Sequence, residues 1–243
     1  MNKTRLGTVA VVLVAGLAWW AWPHEPASDS ADPTGGYFPL AVGRQWVYEV
    51  ETDLNEPDIE QTLTLSVDRQ IELDGQPTWV RRSADGAEYY IQRDAQSIRR
   101  VASRTDLDEQ AKKEPVPRVV LKLPLTNGAS WDGGMTSPYL IRRSNEYPRT
   151  FRYTHKVPMT FQVMSMKETI EVPYGSYSDC IRVEGRGYIK LFTDPVNGFT
   201  DVPLITTEWY CKGVGLVAFE REEKVPGGFM TGGKVSYKLV SMQ

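Results

Sequence analysis

The sequence predicts an all-β fold: a large antiparallel sheet curled into a barrel, a half-barrel or a sandwich, preceded by one N-terminal transmembrane helix. Three observations carry this reading. Alternating apolar and polar residues recur in about a dozen short runs. Strong turn dipeptides separate them, among them Asp74-Gly75, Asp85-Gly86 and Asn127-Gly128. Helical periodicity is nearly absent after residue 22.

In the N-terminal segment, Lys3 and Arg5 precede an apolar run of 17 residues, Leu6 to Trp22, broken only by Thr8. As a helix that run would reach about 25 Å, the lower edge of what spans a hydrocarbon core. Trp19, Trp20 and Trp22 would sit at the outer membrane interface, with Lys3 and Arg5 on the cytoplasmic side. The competing reading is a cleaved signal peptide. Trp20-Ala21-Trp22 is a poor cleavage site, and Glu25-Pro26-Ala27 has a proline beside the cut. No Cys follows the run, so a lipid-modified N-terminus is excluded. The expected location is a bacterial inner membrane, single-pass, with the C-terminal domain in the periplasm. The alternative is a secreted or periplasmic chain after cleavage.

Residues 23–36 hold three prolines, two glycines and small polar residues, a composition that reads as a flexible spacer. Residues 37–243 then form one extracytoplasmic β-rich domain. Strands are expected near Gln45–Thr52, Gln61–Arg69, Thr78–Ser83, Glu88–Arg93, Ser97–Ala102, Arg118–Leu123 and Tyr139–Arg143. More are expected near Pro158–Val172, Asp179–Leu191, Leu204–Cys211, Leu216–Lys224 and Gly233–Val240. Arg104 to Glu114, charged and closed by Pro115 and Pro117, reads as a solvated helical turn or loop. So many short-linked strands imply an antiparallel sheet, and accumulated twist curls a sheet of that size on itself.

Lys3 and Arg5 account for two of the 28 basic residues, leaving 26 against 31 acidic ones and a net charge of −5 outside the first segment. No basic excess attracts nucleic acid. Arg81-Arg82, Arg99-Arg100 and Arg142-Arg143 read as solvated strand faces. Two cysteines, Cys180 and Cys211, flank the turn-rich stretch Thr193 to Asp201. In an oxidising compartment they are expected to form one disulfide. A turn centred near Pro195-Val196 puts them face to face; one on Asn197-Gly198 slips the register by about four residues.

No catalytic set emerges. There is no Gly-x-Ser-x-Gly, and the only histidines are His24 and His155. Gly228 to Lys234 resembles the start of a phosphate loop, but Val235 replaces the hydroxyl residue and a period-2 strand follows. The carboxylates at Asp53–Glu60 and Asp106–Glu109 lack calcium-loop spacing. A glycosidase would need two facing carboxylates, for which Glu88, Glu184 and Glu208 are the strand-borne candidates. No metal site and no cofactor are expected. The aromatics are the remaining lead. Trp46 and Tyr48 alternate along one strand face, and Trp79, Tyr89-Tyr90, Trp131, Tyr188 and Trp209-Tyr210 recur on others; Trp46, Tyr48, Trp79, Tyr90, Trp131 and Trp209 are the candidate ligand or partner face. They form either core or a concave face for an apolar ligand or a partner strand.

Three stretches carry a resemblance. They are Tyr37-Phe-Pro-Leu-Ala-Val-Gly43-Arg-Gln-Trp46-Val-Tyr48, Val172-Pro-Tyr-Gly175-Ser-Tyr-Ser-Asp179-Cys180-Ile-Arg-Val183, and Trp209-Tyr-Cys-Lys-Gly213-Val-Gly215-Leu-Val217. Together they resemble a group of uncharacterised bacterial exported proteins and lipoproteins with no assigned activity. The resemblance implies a β-rich extracytoplasmic domain. Many members of that group carry a lipid-anchoring N-terminal Cys, which this chain lacks. The expected function is a non-enzymatic, membrane-anchored periplasmic domain, an accessory or assembly subunit that docks on another envelope protein. The alternative is a carrier or sensor holding a lipid or other apolar molecule in a barrel cavity.

Overall fold

The computed structural model describes residues 32–53, 61–143, 155–225 and 229–243. The expected anchor with Trp19, Trp20 and Trp22, and the spacer up to residue 31, lie outside the described residues. The chain runs through β1 (Gln45–Thr52), β2 (Thr62–Leu73), β3 (Gln76–Ser83), β4 (Glu88–Arg93), β5 (Ser97–Arg104), β6 (Lys112–Lys122) and β7 (Ser130–Thr136). It continues through β8 (Arg142–Arg143), β9 (Val157–Val172), β10 (Gly175–Asp194), β11 (Gly198–Cys211), β12 (Gly215–Glu223), β13 (Met230–Thr231) and β14 (Gly233–Met242). Among the described residues there is no helix.

Twelve strands form one antiparallel sheet in the order β6-β5-β4-β3-β2-β1-β14-β12-β11-β10-β9-β7, while β8 and β13 pair separately. Neighbours in sequence are neighbours in space except where β14 inserts between β1 and β12. The two end strands, β6 and β7, are consecutive in the chain, so the curled sheet brings its own edges together. Trp131 Nε1 donates to Val119 O at 3.2 Å, and Lys122 Nζ donates to Ser130 O at 3.1 Å, across that seam. The result is a nearly closed barrel. Pro115 and Pro117 on β6 have no N–H to give to a ladder, which suits a strand at the end of a sheet.

Three expectations are corrected. Arg104 to Glu114 is not a helical turn throughout, because β6 begins at Lys112 and runs through both prolines. Strand β7, with sequence SWDGGMT, lies outside the expected strands; Gly133-Gly134 deprives it of the side chains that mark alternation. Residues 139–141 are an irregular segment rather than strand, held by Glu223.

Alternation fills the interior. On β9, Val157, Met159, Phe161 and Val163 are buried; on β10, Ile181, Val183, Ile189 and Leu191; on β11, Val202, Leu204 and Tyr210. A second cluster gathers Trp46, Tyr48, Val217 and Leu239 around Cys180 and Cys211. The β10–β11 hairpin closes through Pro195 to Asn197, with Asp194 Oδ1 accepting from Val196 N at 2.8 Å and Asn197 N at 2.7 Å. Gly198 takes φ 66°, a left-handed conformation that costs glycine little. This wider loop sets Ile181 opposite Tyr210. The next pair outward, Cys180 and Cys211, is joined by a disulfide with Cα atoms 4.2 Å apart.

Two irregular segments are tied to the barrel by polar contacts. Asp32 forms an ion pair with Arg93 at 3.0 Å, Gly213 N donates to Gly36 O at 2.8 Å, and Tyr37 Oη donates to Asp179 O at 2.9 Å. These hold Phe38 and Leu40 in the core. The other segment, residues 137–141, is fixed by Glu223, which is fully buried. Its carboxylate accepts from Tyr139 N at 3.1 Å, Leu140 N at 2.8 Å and Ile141 N at 3.0 Å. Arg221 Nε donates to the same group at 2.8 Å and Arg221 Nη2 donates to Ser137 O at 2.7 Å.

Candidate functional site

The barrel side chains line a half-open cavity of about 310 Å³. Its apolar wall includes Phe38, Leu65, Ile91, Phe161, Leu216 and Phe219, and its polar groups are Arg81, Tyr89, Arg100, Arg118, Glu208 and Tyr210. Phe161 can lie across the wall because its neighbours are glycines. A Cβ on Gly185 would come within 2.6 Å of the Phe161 ring, and one on Gly133 within 2.2 Å. The ring also stacks on Trp131, with centroids 5.9 Å apart.

Arg81 belongs to β3, between Val67 of β2 and Tyr89 of β4. The side chain is half-buried, and it lines the cavity. Its guanidinium lies over the Phe38 ring at 5.3 Å and the Trp46 ring at 5.1 Å. Among the described residues it makes no hydrogen bond or ion pair, and its Nε is buried without an acceptor. The groups that face it are the phenols of Tyr48, Tyr89 and Tyr210. Burial raises the pKa of each of these, so they stay neutral at physiological pH. Burial also lowers the Arg81 pKa, but a guanidinium remains protonated. Cation–π contacts give about 0.5–2 kcal/mol each. Taking an ion fully out of water costs several kcal/mol, and the half-buried Arg81 bears a part of that. The two rings offset some of that cost, and among the described residues no carboxylate pairs with this cation.

The other charges are better matched. Arg100 pairs with Glu114 at 2.6 Å and lies over Tyr89 at 5.7 Å. Arg118 is mostly buried, which lowers its pKa; the like charge of Arg100 acts in the same direction, and the charges of Glu208 and Glu114 oppose it. Glu208 is half-buried, and that burial raises its pKa, while a hydrogen bond from Tyr210 Oη and the charge of Arg118 pull the other way. Glu88 and Glu184 do not share this chamber with Glu208. Glu88 is held by Arg69 at 3.2 Å, Arg104 at 3.1 Å and Tyr90 Oη at 2.8 Å, and Glu184 pairs with Arg186.

The aromatics singled out in the sequence are dispersed over the clusters. Trp46 and Tyr48 are buried, donating to Val214 O at 2.7 Å and Leu216 O at 2.8 Å. Trp79 packs against both main clusters, Trp209 against the disulfide cluster, and Trp131 stacks on Phe161. Tyr90 belongs to a separate group with Val80 and Ala102. None of these six lines the cavity, whereas Tyr89 and Tyr210, also read among the strand aromatics, do. Sequence reasoning missed Arg81, Arg118 and Glu208 as cavity residues. Arg81-Arg82 and Arg99-Arg100 had been read as solvated faces, yet Arg81 and Arg100 point inward. The signal was period 2 counted from the large apolar residues: Trp79 to Arg81, and Leu204 through Thr206 to Glu208. Arg142 and Arg143 form β8, and their side chains are outside the described residues. Among the described residues, no group of three or more His, Cys, Asp or Glu side chains could hold a metal ion.

No protein-family model matches this chain, and no curated protein matches it. Two solved structures are similar to it. One is described as a lipoprotein from Parabacteroides distasonis, with TM-score 0.42 and 14% identity over 86% of this chain and 99% of that one. The other is described as an exported protein with a YmcC-like fold from Bacteroides fragilis, with TM-score 0.45 and 13% identity over 85% of this chain and 98% of that one. Likeness at this level carries no functional argument, and the cavity has to be read on its own chemistry.

Proposed function

We propose that this chain is an exported, non-enzymatic binding domain that holds a small, largely apolar ligand inside its barrel, as a carrier or sensor. The cavity carries this reading. A chamber of about 310 Å³ lies at the small end of ligand pockets, and it has the apolar wall and few convergent polar groups such pockets use. Its wall contains no Ser, Cys or His that could serve as nucleophile or base beside Glu208. The disulfide fits an oxidising compartment. The basic residues and apolar run of the first segment fit export with retention in an inner membrane.

Titration of the full-length chain with the neutral fluorophore N-phenyl-1-naphthylamine tests this. Saturable one-to-one binding that is lost in Leu216→Trp, which fills the chamber, is the expected result. No saturable binding, or equal binding by the filled variant, refutes it.

A second reading, an accessory subunit docked on another envelope protein, is favoured by the β10–β11 hairpin tip. Tyr188, Phe192, Val196 and Phe199 are 59%, 48%, 93% and 69% exposed there, an apolar group that solvent does not favour. Native mass spectrometry of the protein extracted from its own membrane separates the readings. Polypeptides at fixed stoichiometry support the subunit, and a monomer with a small apolar mass supports the carrier.

A further inference from the structure

Arg81 narrows the chemistry of what the cavity takes. We propose that the ligand is an amphiphile with one anionic head, a carboxylate on an apolar body, and that Arg81 grips the head. This rests on the ligand-binding reading above and adds a charge to it.

The argument is a matching of charges around one chamber. Arg100 pairs with Glu114, and the charge of Glu208 opposes that of Arg118 without an ion pair between them. Arg81 has neutral phenols and two aromatic faces, and its Nε has no acceptor. One positive charge is left over, so one negative charge completes the set. A dianion would leave an excess charge in a chamber walled by Phe38, Leu65, Ile91, Phe161, Leu216 and Phe219. The guanidinium lies over the Phe38 and Trp46 rings and has no hydrogen-bond partner among the described residues, and its planar fork suits a carboxylate with two parallel hydrogen bonds. Size sets the body. The volume is roughly twice that of the ~150 Å³ cavity known to take benzene, which suits a bicyclic ring or a medium-length chain.

Calorimetric titration of the full-length chain with decanoate, decanol and inorganic phosphate tests the proposal, in the native protein and in Arg81→Met. The native protein is expected to bind decanoate at least about tenfold more tightly than decanol. Arg81→Met is expected to weaken decanoate by about 10–100-fold, the range of one charge-assisted contact, and to leave decanol unchanged. Decanol binding as tightly as decanoate, or a variant that loses nothing, overturns the anionic head and leaves the cavity reading standing. Failure of both decanoate and decanol to bind overturns both. Phosphate binding that excludes decanoate overturns the amphiphile in favour of an inorganic anion. Should Arg81→Met fail to fold, carboxyl-¹³C decanoate bound to the native protein decides the matter. A carboxylate held by a guanidinium stays ionised to lower pH than free decanoate, and one that protonates at the same or higher pH overturns the contact.

Discussion

Glu223 is the most heavily used polar group in the barrel, so Glu223→Gln is a severe test of the packing described here. The carboxylate accepts backbone N–H groups from Tyr139, Leu140 and Ile141 and two donors from Arg221. A glutamine has one acceptor oxygen. If that oxygen serves the three amides, the side-chain NH₂ meets the Arg221 guanidinium, donor against donor, and a buried cation loses its partner. If it serves Arg221, three buried amides lose theirs. Breaking a buried, hydrogen-bonded ion pair costs about 3–5 kcal/mol. Total stability of a domain is about 5–15 kcal/mol. At about 2–4 °C per kcal/mol for a domain this size, the melting temperature should fall by about 6–20 °C. Thermal unfolding followed by circular dichroism, with denaturant titration as a second probe, measures it. Arg221→Met should cost less, because the carboxylate would keep its three amides, whereas Arg221 without Glu223 keeps only Ser137 O and the Tyr139 ring at 4.2 Å. A loss below about 1 kcal/mol in Glu223→Gln, or a larger loss in Arg221→Met, refutes the account of this cluster.

Two further predictions concern other buried groups. The Cys180–Cys211 bridge closes a separation of 31 residues, for which loop entropy gives a ceiling of about 3–4 kcal/mol. The double variant Cys180→Ala/Cys211→Ala should lose about 2–4 kcal/mol and match the reduced native protein; non-reducing peptide mapping that finds two free thiols refutes the bridge. For Glu208, burial raises the pKa above its ordinary 4.5, so the ionised form opposes folding. That opposition is absent below pH 4.5, grows as pH rises toward the raised folded value, and is fully present above it. Glu208→Gln should therefore raise the melting temperature at neutral pH and leave it unchanged near pH 3; a variant destabilised equally at both would show that the carboxylate is structural.

Most of the fold was legible because the strands carry their own punctuation. The span Gln45–Thr52 was readable from Trp46 alternating with Tyr48, and Glu88–Arg93 from the turn at Asp85-Gly86 before it. Strand β7 was hidden because Gly133-Gly134 deprives it of the side chains that mark alternation. What makes it a strand is Phe161 on the neighbouring β9, which packs where a side chain on Gly133 would stand. The prolines of β6 were equally misleading. They disfavour a central strand, and only closure of the sheet shows that this one lies at an end. The site was less legible for a related reason. Arg81 and Arg82 are indistinguishable as neighbours in a sequence, and strand alternation sends one into the chamber and the other to solvent. Which one goes inward is decided by the face on which Trp79 packs.

The two buried charge systems differ in a way that separates architecture from binding. Around Glu223 every charge is answered within the chain, by backbone amides, a guanidinium and a carbonyl. Such a cluster resists removal of any one member and gains nothing from a visitor. Around the cavity the answer is incomplete: Arg81 has only aromatic faces, and Glu208 has one phenol and the field of Arg118. A methionine at 81 would fill similar space without the desolvation cost, so packing alone does not explain a guanidinium there. An anion that entered the chamber would supply the missing interaction and stabilise the folded state in proportion to its affinity. The same residue that weakens the empty barrel would then strengthen the loaded one. Arg81→Met is thus expected to raise the melting temperature of the unliganded protein and to reduce the further rise that decanoate produces in the native one; a variant less stable than the native protein without ligand would assign Arg81 to the core.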